Sequence, residues 1–560
     1  MLFSLALLAA SVLSASALNP IVRDGSFLFD SVSGERFYLK GVAYAENYGS
    51  SQATTVEESG TVSALDPLAN GDGCTRDVTY FKELDVNVIR VYQVNASLDH
   101  STCMEALDAA GVYVLLDLAT PAAALDPTSP SWDLQLMTDY ITTIEAFGSY
   151  SNVLGFNIGN EVINNVEDDQ AAPYIKAAVR DIKTYLSAHN YSQLVGYTAT
   201  DSPNSRVTLP YYLACDEESS AIFDYWGLNI YEWCGDSTFQ TSGYQARTEE
   251  LATLGIPAFF SEYGCNSVEP RTFEDVPVLY SSDMTDVWSG GVIYEYIQQG
   301  NDYGLVNISS DGDSVTTLTD FNNLKSYYTS VTGSSLNKAS YTASVTLPDA
   351  CPTSNSTWPV ATALPPTPNS GECDCVANAL TCISTYSLDD TDIGTALGEI
   401  CGTSSEACAS VSGNGTTGTY GDLSMCNALQ RLNIAMDVYF NLQSRSASAC
   451  KWSFATTATN SYSNSAAAAS ATSSCIAADA FVASTGIPSA TTTLSGATTK
   501  SLVTTTAQST GKSSSSSGSG SSSSGSSSGA IPIFGDAPMN VLFFTMIAGL
   551  VAGALAVVPM

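Results

Sequence analysis

Of the 56 Asp and Glu residues in this chain, four stand where an apolar, strand-like run ends: Asp117, Glu161, Glu262 and Glu295. Most of the others fall on helical patterns or loops, where a solvated carboxylate is the ordinary outcome. Glu161 follows Gly159-Asn160, and Glu262 closes Phe259-Phe260-Ser261 before Tyr263-Gly264. Two carboxyls ~5 Å apart across a glycosidic bond can cleave it with retention, one protonating the leaving oxygen and the other attacking the anomeric carbon. An apolar strand around Glu262 and a second negative charge nearby would push the two pKa values apart. The competing reading is that each glutamate simply pairs with a nearby arginine.

Such a pair needs a scaffold that aims strand ends at one mouth. Apolar runs recur at 37–44, 86–92, 112–118, 153–160, 194–200, 225–231, 256–262 and 291–296. They lack strict alternation, as strands buried on both faces do. Helix-length segments such as 171–188 and 244–254 lie between most of them. Eight such units predict an α/β fold, a (β/α)8 TIM barrel with working residues at the C-terminal strand ends. Strands four and seven then face each other across the mouth. An open doubly wound sheet is the alternative, but no glycine fingerprint follows the first strand. Residues 27–29 and 36–39 predict a small hairpin closing the barrel bottom.

Composition narrows the chemistry. The formal net charge is −37, with 19 Lys and Arg in 560 residues, which argues against nucleic acid as a partner. The two histidines, His100 and His189, have no second His or Cys at ligand spacing, so no metal site is expected. No Gly-rich phosphate loop occurs, and no cofactor is expected.

Both ends read as processing signals. Residues 2–13 are almost wholly apolar, and Ala15-Ser16-Ala17 offers a signal-peptidase site, giving a signal peptide at 1–17. A barrel domain is expected at 18–350, a Pro/Ser/Thr linker at 351–370, a cysteine-rich module at 371–478 and a Ser/Thr/Gly stalk at 479–530. The stalk has too few apolar residues to bury a core and is expected to be disordered and O-glycosylated. Residues 531–560 end in an uncharged apolar run, 541–560, behind a spacer and small residues. That pattern predicts removal of the tail and a GPI anchor at Ser528, hence a location on the outer face of the cell membrane or in the wall. A true membrane helix would usually keep basic residues on its cytoplasmic side. The even count of 14 cysteines agrees with export. Sequons begin at Asn95, Asn190, Asn307, Asn355 and Asn414.

Several segments carry a resemblance: Ile89-Arg90-Val91-Tyr92, Gly159-Asn160-Glu161-Val162, Gly227-Leu228-Asn229-Ile230-Tyr231-Glu232-Trp233-Cys234-Gly235 and Phe260-Ser261-Glu262-Tyr263-Gly264-Cys265-Asn266. So do Met284-Thr285-Asp286-Val287-Trp288-Ser289-Gly290-Gly291 and Tyr294-Glu295-Tyr296. In consistent order from about residue 20 to 345, the chain resembles the fungal β-1,3-glucanosyltransferases, glycoside hydrolase family 72. The resemblance implies retaining cleavage of β-1,3-glucan and transfer of the new reducing end to another glucan. It implies Glu161 as acid/base, Glu262 as nucleophile, Asn160 on the sugar 2-hydroxyl and Tyr231 orienting the nucleophile. Tyr92, Asp117 and Tyr294 match positions that line the glucan groove. The family pattern pairs Cys74 with Cys103, Cys234 with Cys265 and Cys215 with Cys351.

The module resembles a cysteine-box carbohydrate-binding domain through Cys373-Asp374-Cys375, Cys382, Cys401, Cys408-Ala409 and Tyr420-Gly421, with Cys426, Cys450 and Cys475 completing its set. It is expected to be mainly helical. One departure stands out: where the family reads Gly-Val-x-Tyr-Gln-Pro-Gly-Gly, this chain has Gly41-Val42-Ala43-Tyr44-Ala45-Glu46-Asn47-Tyr48-Gly49. That loop borders the donor subsites in the resemblance, so glucan length preference or the transfer-to-hydrolysis ratio is the property it would alter. Two other readings compete with transfer. Plain endo-β-1,3-glucan hydrolysis uses the same carboxyls, whereas a non-catalytic wall-binding protein would be expected to have lost one of them.

Overall fold

The structure, a computed structural model, describes residues 17–45, 66–121, 123–203, 206–216, 218–384 and 388–457, together with 466, 467, 470 and 475. The signal peptide, most of the altered loop after Tyr44, the stalk, Ser528 and the apolar tail lie outside the described residues.

Eight strands close a barrel: β1 (Leu39–Ala43), β2 (Val88–Val91), β3 (Tyr113–Asp117), β4 (Val153–Asn160), β5 (Leu194–Thr200), β6 (Tyr225–Asn229), β7 (Ala258–Tyr263) and β8 (Trp288–Ile293). Each pairs in parallel with its neighbour in sequence, and β8 returns to β1. Continuous burial follows from residue parity. On β3, Tyr113 and Leu115 point into the barrel with Leu39, Val88 and Phe259, while Val114 and Leu116 face the surrounding helices. Two apolar faces are what produce the unbroken hydrophobic runs. Small residues make room where the interior is crowded: a Cβ on Gly196 would lie 2.2 Å from the Tyr225 ring.

Helices cross between the strands, among them α1 (Gly71–Leu84), α2 (Ser101–Ala110), α3 (Leu134–Phe147) and α4 (Ala172–Ala188). Asp133 caps α3 by accepting from the backbone N–H groups of Gln135 and Leu136.

Three expectations shift. The last strand runs Trp288–Ile293 and not 291–296, so Tyr294 and Glu295 lie just beyond it. The reason is that Glu295 N–H turns to Tyr303 O and Tyr296 N–H to Ala43 O, outside the regular ladder. The N-terminal hairpin pairs Ile21–Asp24 with Phe27–Asp30, and Arg36 meets Phe29 only as an isolated bridge. The tight Gly25 turn, at φ 51°, brings the two nearer segments together first. The linker is no free spacer. Trp358 and Val360 are buried in the barrel core, Tyr212 Oη donates to Ala361 O at 2.9 Å, and Thr367 Oγ1 to Asp181 Oδ1 at 2.8 Å. A Trp in a Pro-rich stretch gains more from burial than from solvation.

The module carries helices Ser370–Ala379, Asp390–Thr403 and Ala428–Leu442. All 14 cysteines pair. The barrel side holds Cys74–Cys103, Cys215–Cys351 and Cys234–Cys265. The module holds Cys373–Cys426, Cys375–Cys475, Cys382–Cys450 and Cys401–Cys408. Leu134 of α3 is part of the module's own core, its N–H donates to Met425 O at 3.0 Å, and Arg431 pairs with Asp133 at 3.3 Å. The five sequon asparagines are all exposed.

Candidate active site

Arg90 on β2 is the hub of the barrel mouth. It is fully buried, and a bare guanidinium there would be prohibitive without counter-charges. Asp117, the last residue of β3, supplies one through a two-pronged pair, Nε to Oδ1 at 3.2 Å and Nη2 to Oδ2 at 2.8 Å. Glu262 on β7 supplies the other, Oε1 accepting from Nη1 at 3.1 Å. Nη2 also donates to Asn160 Oδ1 at 2.9 Å and Thr198 Oγ1 at 3.1 Å. Burial works against the charge on Arg90, and the groups around it, Asp117 first and then Tyr92 and Glu262, together more than restore it.

Glu262 collects further donors. Tyr92 Oη, directly after β2, donates to Oε1 at 3.0 Å, and Tyr231 Oη, two residues past β6, donates to Oε2 at 2.9 Å. Burial, with the charge of Glu262 next, holds both phenols protonated far above their ordinary range. Burial pushes the Glu262 carboxyl up to about 7; Arg90 opposes this, Glu161 adds to it, and the two hydroxyls oppose it.

Glu161 follows the last residue of β4 at φ 52°, a left-handed conformation that costs a side-chain-bearing residue about 1–3 kcal/mol. Its N–H donates to Thr198 O at 2.9 Å. The strain turns the carboxyl off the strand line, where Oε1 accepts from Asn229 Nδ2 at 2.7 Å. Its pKa is raised by burial, with Asn229 and Arg90 pulling the other way. Asn229 thus bonds one carboxylate through Nδ2, while its Oδ1 lies 3.4 Å from Arg90 Nη1, which holds the other.

The structure brings Tyr92, Asn160, Glu161, Tyr231, Glu262 and Tyr294 to one mouth. Asn160 Oδ1 accepts from Arg90, Thr198 and Asn229. The Tyr294 ring stands 6.4 Å from that of Tyr92. Asp117 differs from the expectation of a groove-lining residue. It is 2% exposed and its carboxylate is engaged by Arg90 and by Asn157 Nδ2, so it acts on the mouth through Arg90. Glu262 does pair with an arginine, but that arginine is shared with Asp117, which leaves Glu262 other bonds to make. Sequence reasoning did not single out Arg90, Thr198 or Asn229 as site residues. The signal was there: an arginine and an asparagine inside runs otherwise apolar must find buried partners.

Comparison with known proteins places this arrangement. Residues 10–332 match the family model described as Glucanosyltransferase, of glycoside hydrolase family 72, and residues 380–458 match the X8 domain. The 1,3-beta-glucanosyltransferase gas1 of Schizosaccharomyces pombe is 43% identical over 444 residues, covering 79% of this chain and 79% of that protein. The 1,3-beta-glucanosyltransferase GAS2 of Saccharomyces cerevisiae is 36% identical over 446 residues, covering 75% and 79%. The solved structure of Saccharomyces cerevisiae Gas2p in complex with laminaripentaose superposes with a TM-score of 0.70 at 36% identity, covering 78% of this chain and 96% of that one. This chain belongs to the glucanosyltransferases of glycoside hydrolase family 72, with an X8 domain behind the barrel.

Proposed function

We propose that the protein is a 1,3-beta-glucanosyltransferase that cleaves a β-1,3-glucan with retention and passes the new reducing end to another β-1,3-glucan. The observation that carries this reading is the pair of carboxyls, Glu262 buried and Glu161 half-buried, tied together through Asn229 and Arg90 at the barrel mouth. Relatives that share the family bear that activity in their names, and one of them has been solved with laminaripentaose.

The roles follow from the donors. Glu262 faces a guanidinium and two phenols, all of which favour its charged form, while Glu161 faces one amide. Burial raises both carboxyls, Glu262 to about 7, but only Glu262 is held by a cation and two phenols that favour the carboxylate, so Glu161 is the one we assign the proton. Glu161 gives that proton to the glycosidic oxygen as Glu262 attacks the anomeric carbon, and the reducing-end fragment leaves. Glu161, now charged, takes the proton of the acceptor's hydroxyl, whose oxygen displaces Glu262 and restores the β-linkage. In this reading Asn160 meets the sugar 2-hydroxyl, and Tyr92 and Tyr294 line the groove.

Transfer and hydrolysis separate on one experiment. Incubated with a reduced laminari-oligosaccharide acceptor and an unreduced donor, the enzyme is expected to yield products longer than the donor. Only shorter products would leave an endo-β-1,3-glucan hydrolase.

The mature protein is proposed to sit on the outer membrane face through a GPI anchor at Ser528, without the tail 541–560. The apolar tail and the small residues before it support this. Phosphatidylinositol-specific phospholipase should release it from membranes; recovery of a C-terminal peptide ending in Pro559-Met560 would contradict the anchor.

A further inference from the structure

Glu295 is the fourth strand-end acid, and the reaction above leaves it unused. It is 1% exposed, two residues beyond β8. Its Oε1 accepts from Asn301 Nδ2 at 2.8 Å and its Oε2 from Gln299 Nε2 at 2.6 Å. Both donors belong to the loop 297–305. The backbone repeats the tie: Glu295 N–H donates to Tyr303 O at 3.1 Å, and Leu305 N–H to Glu295 O at 3.2 Å. Arg271 holds the same loop from the other side, Nη2 donating to Tyr303 O at 2.5 Å.

What the loop delivers is Tyr303. Its ring stands 5.2 Å from Tyr294 and 5.7 Å from Tyr231, the phenol on Glu262. With Tyr92 against Tyr294, four rings form a continuous wall beside the nucleophile. Asn301 Nδ2 also reaches Tyr294 Oη at 3.4 Å, so one amide bridges the buried acid and the wall.

We propose that Glu295 is a positioning residue, which staples the loop 297–305 to the barrel and so holds Tyr303 in the wall that shields the glycosyl–Glu262 ester from water. The proposal rests on the transferase reading. A wall that packs against an acceptor sugar favours the sugar hydroxyl over water as the second nucleophile. Loosening the loop admits water and shifts the partition towards hydrolysis, while cleavage of the donor continues.

The staple needs an acceptor on residue 295, not a charge. Gln299 Oε1 is buried with no partner among the described residues. In Glu295→Gln, Gln299 can turn its amide and accept from the new side-chain N–H, while Asn301 still meets an oxygen. Glu295→Ala removes both contacts. Asn301→Ala removes one of the loop's two side-chain ties to Glu295 and leaves the buried acid in place.

The test measures transfer and hydrolysis products from a laminari-oligosaccharide with the full-length protein, beside its melting curve. Glu295→Ala and Asn301→Ala are expected to lower the transfer-to-hydrolysis ratio about tenfold, with total donor cleavage within about threefold of wild type. Glu295→Gln should keep most of the wild-type ratio. A parallel loss of both products, or an unchanged ratio, would overturn the staple. So would Glu295→Gln behaving like Glu295→Ala, since that would assign the role to the charge. If Glu295→Ala does not fold, Asn301→Ala decides alone. Wild type that never lengthens its donor would overturn the transferase reading and this inference with it; wild type that does, with variants in the same ratio, overturns only the inference.

Discussion

Glu262→Gln is expected to lower kcat on the order of 10^4-fold or more while leaving the fold intact. An amide oxygen is a poor nucleophile, and no neighbouring carboxyl is placed to replace it. Asp117 is the nearest buried alternative on the same arginine, but its oxygens are held by Arg90 and Asn157. The fold survives because the new amide can be accommodated. Its oxygen can keep Arg90 and Tyr92, and its nitrogen can face Tyr231, whose hydroxyl turns from donor to acceptor. A stability loss of about 1 kcal/mol follows from the weaker bond to Arg90. Steady-state kinetics beside a thermal melt check both halves. Wild-type turnover would remove Glu262 from the mechanism.

Replacing Arg90 should harm both stability and rate. Arg90→Met leaves Asp117 buried without its cation and takes a donor from Asn160 and Thr198. Removing one partner of a buried pair typically costs about 3–5 kcal/mol. Arg90→Lys keeps the charge, but an ammonium cannot hold Asp117 with two prongs and also reach Glu262 and Asn160, so kcat should fall about 100-fold even where the protein folds. The pH profile carries a sign. Arg90 lowers the pKa of Glu262, so weakening that contact raises it. Glu262 attacks as the carboxylate, and the acid limb of the rate profile should therefore move to higher pH in Arg90→Lys. An unmoved limb would contradict the hub.

How much of this was legible in the residues depended on what kind of information each feature needs. Strand runs buried on both faces announce themselves, and the predicted runs at 153–160 and 194–200 coincide with β4 and β5. The last run slid by three residues because Tyr294, Glu295 and Tyr296 are as buried as a strand, yet the ladder breaks there: Tyr294 N–H and Tyr296 N–H reach only the last residues of β7 and β1, and Glu295 N–H turns to the loop residue Tyr303. Periodicity cannot separate those cases. Glu161 and Glu262 were visible as acids at strand ends. Arg90 was hidden in plain view: its meaning lies in side-chain partners on β3, β4, β5, β6 and β7, none near it in sequence. The linker's packing turned on one tryptophan, Trp358, whose burial against Tyr212 composition does not encode. The four module disulfides could not be chosen from spacing, since eight cysteines allow 105 pairings; the resemblance supplied only the barrel three.

The most direct test of the account is to catch the sugar on Glu262. In Glu161→Gln, a laminari-oligosaccharide with a dinitrophenyl β-leaving group needs no proton to depart, so the glycosyl–enzyme ester should form. Without a base to activate the acceptor, it should also persist. Mass spectrometry of the digested protein is predicted to find the glycosyl unit on the peptide that contains Glu262, and added azide is predicted to release it as the β-glycosyl azide. Sugar on any other residue, or release of the α-azide, would contradict a retaining mechanism carried by Glu161 and Glu262.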